Sequence, residues 1–307
     1  LVSKAELLRT SKAAKKGLKG ERFGVQSDDM HDRLPLTSFI ARHPSAILIE
    51  ITQAKGSTPR EEGTFMLVSE KAIWGTIGGG QFEYMAIDNA RAMLSGGGET
   101  MMDIPLGPEI GQCCGGRTKL SFTPITPQIA ERLERRLRNE KDERPAVFLF
   151  GSGHVGLALA HALSPLPFAV TVIETRTEAL EDLPADAVKH LTAMPEAFVK
   201  TIPAGGAAII LTHDHALDFL IAREALARPD LAYVGMIGSL TKRATFSHWL
   251  KREGGNDMML SRLILPIGGD AVKDKRPAVI AALVAAELLE TYAALEQHPL
   301  KRQVPSM

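Results

Sequence analysis

From Ala146 onward the chain alternates short apolar runs with helix-length segments, and this pattern constrains its fold more than any other feature. Strands are expected at Ala146–Phe150, Ala169–Ile173, Ala207–Leu211, Tyr233–Ile237 and Leu263–Ile267, with helices between them. That order is the signature of a doubly wound parallel sheet. The last helix is expected to begin at Pro277, a residue type favoured in a first turn, and to run to about Glu296.

The first strand leads into Phe148-Leu-Phe-Gly-Ser-Gly-His-Val-Gly156, so Gly151, Gly153 and Gly156 follow it in G-x-G-x-x-G spacing and a helix comes next. Such a turn brings backbone close to a phosphate and aims a helix N-terminus at it. Glu174 lies 18 positions beyond Gly156, at the end of the second strand, where a carboxylate could meet a ribose hydroxyl. Strand, helix and acid together point to a Rossmann-like domain. Whether the turn still holds a dinucleotide stays open.

The fold class expected is therefore α/β, with a C-terminal Rossmann-like sheet over residues 146–296 preceded by a smaller α+β domain over 34–125. In that first domain a strand is expected at Ala46–Thr52, then a turn-rich stretch through Pro59 and Gly63. Thr64–Val68 and Ala72–Gly75 form a hairpin, and Gln81–Leu94 carries Phe82, Met85, Ala86, Ala90 and Met93 at helical spacing. Two further strands flank a cysteine-bearing loop. Residues 126–145, with Glu131-Arg-Leu-Glu-Arg-Arg136, read as a charged helical linker, and 297–307 as a tail. Residues 1–33 are a basic stretch expected to be a disordered extension.

Lys plus Arg and Asp plus Glu balance at 36 each, and aromatics make up only 5%. Neither a basic field nor a stacking platform for nucleic acid is expected. No apolar run reaches the ~18 residues that cross a bilayer; Ala278–Leu289 is interrupted by Glu287 and reads as a buried helix. No secretory signal is read at the start. The two cysteines are adjacent, which rules out a disulfide staple and makes a reducing cytoplasm the simplest location.

Those cysteines sit in Gly111-Gln-Cys-Cys-Gly-Gly-Arg117. Cys113 and Cys114, bracketed by glycines and beside Gln112, lie on backbone able to approach a ligand closely. Thiolates are soft donors that suit molybdenum–sulfur, copper(I) or persulfide chemistry, and Arg117 could lower a neighbouring thiol pKa. Two buried small residues in a turn is the plainer alternative.

Gly75-Thr-Ile-Gly-Gly-Gly80 precedes a helix, so Gly78, Gly79 and Gly80 could turn backbone N–H groups toward an anion. Glu83, in that helix's first turn, either joins the site or interacts with the helix dipole. Gly56-Ser-Thr-Pro-Arg60 adds Ser57 and Arg60 as anion contacts. In Thr212-His-Asp-His-Ala-Leu-Asp218, His213, Asp214, His215 and Asp218 could face the ligand crevice, or Asp214 could simply cap a helix. Ser239 is expected to cap the helix after the next strand. Lys242 and Arg243 put positive charge in its first turn, which a bound anion or a partner surface would explain.

Taken in order, these segments resemble the XdhC/CoxI family of molybdenum-enzyme accessory proteins. The resemblance runs from Gly56-Ser-Thr-Pro-Arg60 and Gly75-Thr-Ile-Gly-Gly-Gly80-x-x-Glu83 through Leu106-Gly-Pro-Glu-Ile-Gly-Gln-Cys-Cys-Gly-Gly116 to the Rossmann glycines. It continues with Thr212-His-Asp-His215, Gly235-x-Ile-Gly-Ser-x-Thr-Lys-Arg243, Pro266-Ile-Gly268 and Lys275-x-Pro277-x-x-Ile-Ala281. It implies a protein that binds the molybdenum cofactor (molybdopterin), protects it while a cysteine desulfurase supplies sulfide, and delivers it to a xanthine dehydrogenase-type apoenzyme. On that basis Cys113 and Cys114, with Gln112 nearby, become the contacts to the cofactor and its molybdenum, and a homodimer is suggested; charge and backbone geometry make the triple glycine and Arg60 pterin-phosphate contacts. The second Rossmann strand ends in Glu174-Thr-Arg176 where an Asp-x-Arg ending is commoner, and Gly-Asp follows Pro266-Ile-Gly268 in place of an apolar continuation. The first departure leaves open which nucleotide, if any, is bound. Two other classes stand beside the chaperone: an NAD(P)-dependent oxidoreductase with His213 or His215 as proton donor, and a nucleotide-sensing module without catalysis.

Overall fold

The computed structural model describes residues 34–108 and 115–297. Two compact units divide at Arg136/Leu137. The basic stretch 1–33 and the tail 298–307 lie outside the described residues.

The first unit holds α1 (Leu36–Arg42), β1 (Ile47–Lys55), β2 (Phe65–Val68), β3 (Ile73–Gly75), α2 (Gly80–Leu94), β4 (Met101–Pro105) and β5 (Arg117–Pro124). The strands form one antiparallel sheet in the order β3-β2-β1-β5-β4. One face is buried: along β5, Thr118, Leu120 and Phe122 alternate inward with exposed or half-buried neighbours. Helix α2 packs Phe82, Ala86, Ile87 and Ala90 into the same core. The helix ends where expected, at Ser95, and Gly96 and Gly98 follow in the left-handed region. Pairing of β1 with β5 slips between Ile51 and Gln53, a bulge that bends the last residues of β1. Beyond β5 the chain enters α3 (Pro127–Asp142).

The second unit holds β6 (Ala146–Phe150), α4 (His154–Leu163), β7 (Ala169–Glu174), β8 (Val188–Leu191), β9 (Ala207–Ile210), α5 (His215–Leu226), β10 (Tyr233–Met236), α6 (Leu240–Arg252), α7 (Asp257–Ser261), β11 (Leu263–Ile264) and α8 (Pro277–Gln297). All six strands are parallel, in the order β11-β10-β9-β6-β7-β8. The chain thus winds outward from β6 in one direction, then outward from β9 in the other, leaving a switch point between β6 and β9. Apolar layers cover both faces, which is why β9 and β10 are buried at every residue.

Two departures from the expected strands have simple causes. β8 went unread because Val188-Lys-His-Leu191 is an edge strand with three exposed residues and no apolar run. β11 stops at Ile264, short of Ile267, because Pro266 has no N–H to continue the ladder. Helix α8 is long and apolar enough, by length and composition, to cross a membrane, contrary to the expectation of no such run. One of its stripes, Ala281, Val284, Ala285 and Leu288, is committed to the core.

Glu287 on α8 accepts hydrogen bonds from the Tyr233 hydroxyl (2.8 Å) and from Gly268 N–H (3.0 Å). Burial, then the Glu287 charge, raises the Tyr233 phenol well above its ordinary pKa, so it stays a donor. Glu287→Ala is expected to cost about 1–3 kcal/mol by stranding that buried hydroxyl. Adding Tyr233→Phe should recover part of the loss, read from urea midpoints in a double-mutant cycle.

Candidate functional site

Three of the motif segments meet at one end of the first sheet. β1 and β4 end there and β5 begins, with Lys55 opposite Arg117 and Arg117 opposite Pro105. Leu106 N–H donates to Gly116 O (2.8 Å) and Gly115 N–H to Leu106 O (2.9 Å), which closes the stem of the loop between them. A Cβ on Gly116 would stand 2.2 Å from the Ser57 carbonyl oxygen and 2.8 Å from that of Lys55, so only glycine permits this approach. A Cβ on Gly78 would stand 2.7 Å from the Pro59 ring. The 56–60 turn is therefore held between the stem of the cysteine loop and the 75–80 turn. Cys113, Cys114 and Gln112 lie outside the described residues.

Ser57 and Arg60 are exposed on this turn, and Arg60 makes no hydrogen bond or ion pair among the described residues. The fully buried Thr118 hydroxyl, one residue beyond Arg117, has no hydrogen-bond partner in the described structure. Arg117 donates to Asp103 (2.7 Å), and that bond holds the Asp103 carboxyl below its ordinary pKa. Its charge is thus shared with Asp103 before any thiol.

The glycine turn itself differs from expectation. Buried Glu83 accepts from Thr76 Oγ1 (2.5 Å), Ile77 N–H (2.9 Å) and Gly79 N–H (3.1 Å), and Gly78 N–H goes to Thr76 Oγ1 (3.1 Å). Of the three amides expected to hold an anion, those of Gly78 and Gly79 are satisfied from within. Glu83 is a strut that fixes the turn, and its charge opposes a phosphate on those same amides. Gly80 opens α2, whose N-cap Gly79 has no side-chain cap. A wider depression of about 590 Å³, bordered by His43, Glu70, Arg91 and Ser95, lies at the other end of this sheet and contains none of the motifs.

In the second unit, the glycine turn lies at the switch point. A Cβ on Gly151 would stand 2.7 Å from Leu211 O, and one on Gly156 2.1 Å from Gly151 O, while one on Gly153 would meet no described atom within 4 Å. Two glycines serve packing and the third opens the crevice. A cavity of about 380 Å³ lies here, with Gly153, His154, Arg176, Glu178, Asp182 and His213 among its walls.

Glu174 does not present a free carboxylate to that cavity. It is 3% exposed. Oε1 accepts from Thr175 N–H (2.8 Å), Arg176 N–H (3.1 Å) and Arg176 Nε (3.2 Å); Oε2 accepts from Ser152 N–H (2.9 Å) and Arg176 Nη2 (3.1 Å). The Ser152 hydroxyl lies within reach of Oε2 (2.9 Å) and Ala179 O (2.6 Å), with one proton for the two. Burial alone would raise this carboxyl, but the Arg176 guanidinium with the Ser152 and Thr175 amides outweighs it and holds the pKa at about 2.

Other expectations are corrected here. Asp214 caps α5, accepting from Ala216 N–H (2.8 Å) and Leu217 N–H (3.4 Å). His213 faces the cavity, but His215 lines a separate groove with Phe219 and Trp249. They do not converge, and among the described residues no group of three His, Cys, Asp or Glu is placed to hold a metal. Ser239 caps α6 as expected. Lys242 needs no external anion: its Nζ pairs with Asp218 Oδ2 (2.5 Å) and donates to Ile237 O (2.9 Å), the two side chains being 10% and 0% exposed. Arg243 is likewise spent on the Leu263 (2.8 Å), Leu265 (3.3 Å) and Leu260 (3.4 Å) carbonyls. Sequence reasoning missed Arg176 as the half-buried cation of the crevice; its position two residues after Glu174 was the available signal.

Comparison with known proteins gives matches over both units. Residues 39–105 match the XdhC and CoxI family, and residues 147–288 match the XdhC Rossmann domain. A curated relative from Escherichia coli K12, the uncharacterized protein YqeB, is 25% identical over 260 residues, spanning 79% of this chain. The match covers only 43% of that relative's length. A solved structure from Bacillus halodurans, described as a xanthine dehydrogenase, superposes with a TM-score of 0.69 at 18% identity, covering 88% of this chain and 96% of the other. At that identity the likeness establishes the fold.

The Glu174 geometry sets a pH window. Its folded pKa, about 2, lies below the ordinary 4.5, so its contribution is complete above the ordinary value and is lost as pH falls from there toward 2. The pH-dependent part of the stability difference between the native protein and Glu174→Gln is expected to be on the order of 3 kcal/mol. Denaturant unfolding at pH 6, 4 and 2, values roughly bracketing the window, checks this. A difference that does not shrink on acidification contradicts it.

Proposed function

The chain belongs to the XdhC and CoxI family, and on that premise we propose that it is an accessory protein for maturation of a xanthine dehydrogenase-type molybdoenzyme. It binds the molybdenum cofactor as cargo, holds it while a cysteine desulfurase supplies sulfide, and hands it to the apoenzyme. The observation that carries this reading is the convergence of the 56–60 turn, the 75–80 turn and the stem of the cysteine loop at one sheet end.

The donor chemistry there suits such a cargo. Cys113 and Cys114 supply soft sulfur ligands of the kind molybdenum accepts. Arg60 supplies a guanidinium for the phosphate of the pterin, a role the 77–79 amides cannot share once Glu83 has taken those of Ile77 and Gly79 and Thr76 Oγ1 that of Gly78. The approach of Gly116 to Ser57 sets backbone against backbone at the stem of the loop, and Thr118, two residues on, has a buried hydroxyl without a partner in the described structure. Ser57 and Arg60 orient the anionic tail in this scheme, and the thiolates take the metal end.

The oxidoreductase alternative retains less support. Of its two proton-donor candidates only His213 borders the crevice, and nothing around it selects a hydride-accepting substrate.

Purification of the full chain from a molybdate-supplied host, followed by molybdenum analysis and pterin fluorescence, tests the proposal. The Cys113→Ala/Cys114→Ala double variant is expected to retain at least about tenfold less cofactor than the native chain, the lower end of what outer-shell changes alone cost a metal site, with an unchanged melting temperature. Equal cofactor content in the two proteins would overturn it.

A further inference from the structure

The crevice at the β6/β9 switch point has no part in the cofactor proposal, yet it is built. Its turn is stiffened by Gly151 and Gly156, it is opened at Gly153, and it leads into α4, which has no side-chain cap and no acidic residue in its first turn. These are the features that let a dinucleotide's pyrophosphate approach a helix N-terminus. The end of β7 is where such a fold reads the ribose, ordinarily with a carboxylate accepting from the two hydroxyls. Here Glu174 is fully engaged by Ser152, Thr175 and Arg176. To read a diol it would have to release the guanidinium.

Arg176 is left as the group the crevice presents. It grips Glu174 through Nε and Nη2 while its side chain stays 40% exposed on the cavity wall, with its Nη1 edge uncommitted. The exposed residues Thr175 and Thr177 flank it. Glu178 and Asp182 also border the cavity and oppose a dianion. Selectivity must then come from direct contact with Arg176, not from a positive field across the pocket.

We infer that this crevice binds an adenine dinucleotide carrying a phosphate on its ribose in preference to one with a free 2′,3′-diol, with Arg176 contacting the phosphate and Glu174 acting as the positioning residue that aims it.

The test is calorimetric titration of the full chain with NADPH and, separately, NADH at one ionic strength. NADPH is expected to bind about tenfold tighter or more, the size of one charge-assisted hydrogen bond. Arg176→Ala should bring the two affinities together by weakening NADPH alone, and Glu178→Gln should strengthen NADPH. If Arg176→Ala lowers the melting temperature, Arg176→Lys replaces it and should reduce the ratio while leaving NADH unchanged, because lysine cannot keep the two-point grip on Glu174. Equal or tighter NADH binding, no binding of either probe, or a ratio unmoved in a folded Arg176 variant would overturn the inference. None of these outcomes bears on molybdenum retention, so the two proposals stand or fall separately.

Discussion

The absence of one Cβ, at Gly116, permits the contact on which the candidate site depends. Because this residue is glycine, the stem of the cysteine loop can press its backbone against the Ser57 and Lys55 carbonyls. The stem's own hydrogen bonds between Leu106 and Gly115–Gly116 hold it there. The turn so trapped is the one that carries Ser57 and Arg60, and its Pro59 rests on Gly78 of the neighbouring turn. Side chains of any size at these crossings would drive the three segments apart. The proximity of the loop stem to the turn that carries Ser57 and Arg60 is thus a packing consequence of small residues, not of attraction between charged groups.

The two units use acids in the same way. Glu83 braces the 75–80 turn by accepting the Ile77 and Gly79 N–H groups, and Glu174 ties the 151–156 turn to the end of β7 by accepting those of Ser152 and Thr175. A carboxylate that accepts backbone N–H groups of a glycine-rich turn makes that turn rigid. The cations beside these turns are the exposed Arg60 in the first unit and the half-buried Arg176 in the second.

Much of the architecture was legible in the sequence because burial on both faces forces apolar runs, as in Ala207–Ile210 and Tyr233–Met236. β8 was not, since an edge strand need not be apolar. The site was legible as motifs but not as directions. Sequence places Lys242 and Arg243 in a helix's first turn, and only the fold reveals that Asp218 and the carbonyls of Leu260, Leu263 and Leu265 already claim them. Likewise His213 and His215, two residues apart, look to different grooves because a helix begins between them. Hydrogen-bond partners distant in sequence decide which charges remain available, and no local spacing records them.

The most direct measurement compares cofactor retention by Gly116→Ala with that by Gly97→Ala, a glycine remote from the loop stem whose Cβ would meet only Ala92 O at 3.6 Å. With folding of both checked by circular dichroism, Gly97→Ala should carry molybdenum and pterin as the native chain does. Gly116→Ala should carry roughly a tenth or less, since displacement of a site by about 1 Å is enough for losses of that order. Native-level retention by Gly116→Ala would contradict the account, because the crossing of those loops would then have no bearing on the cargo.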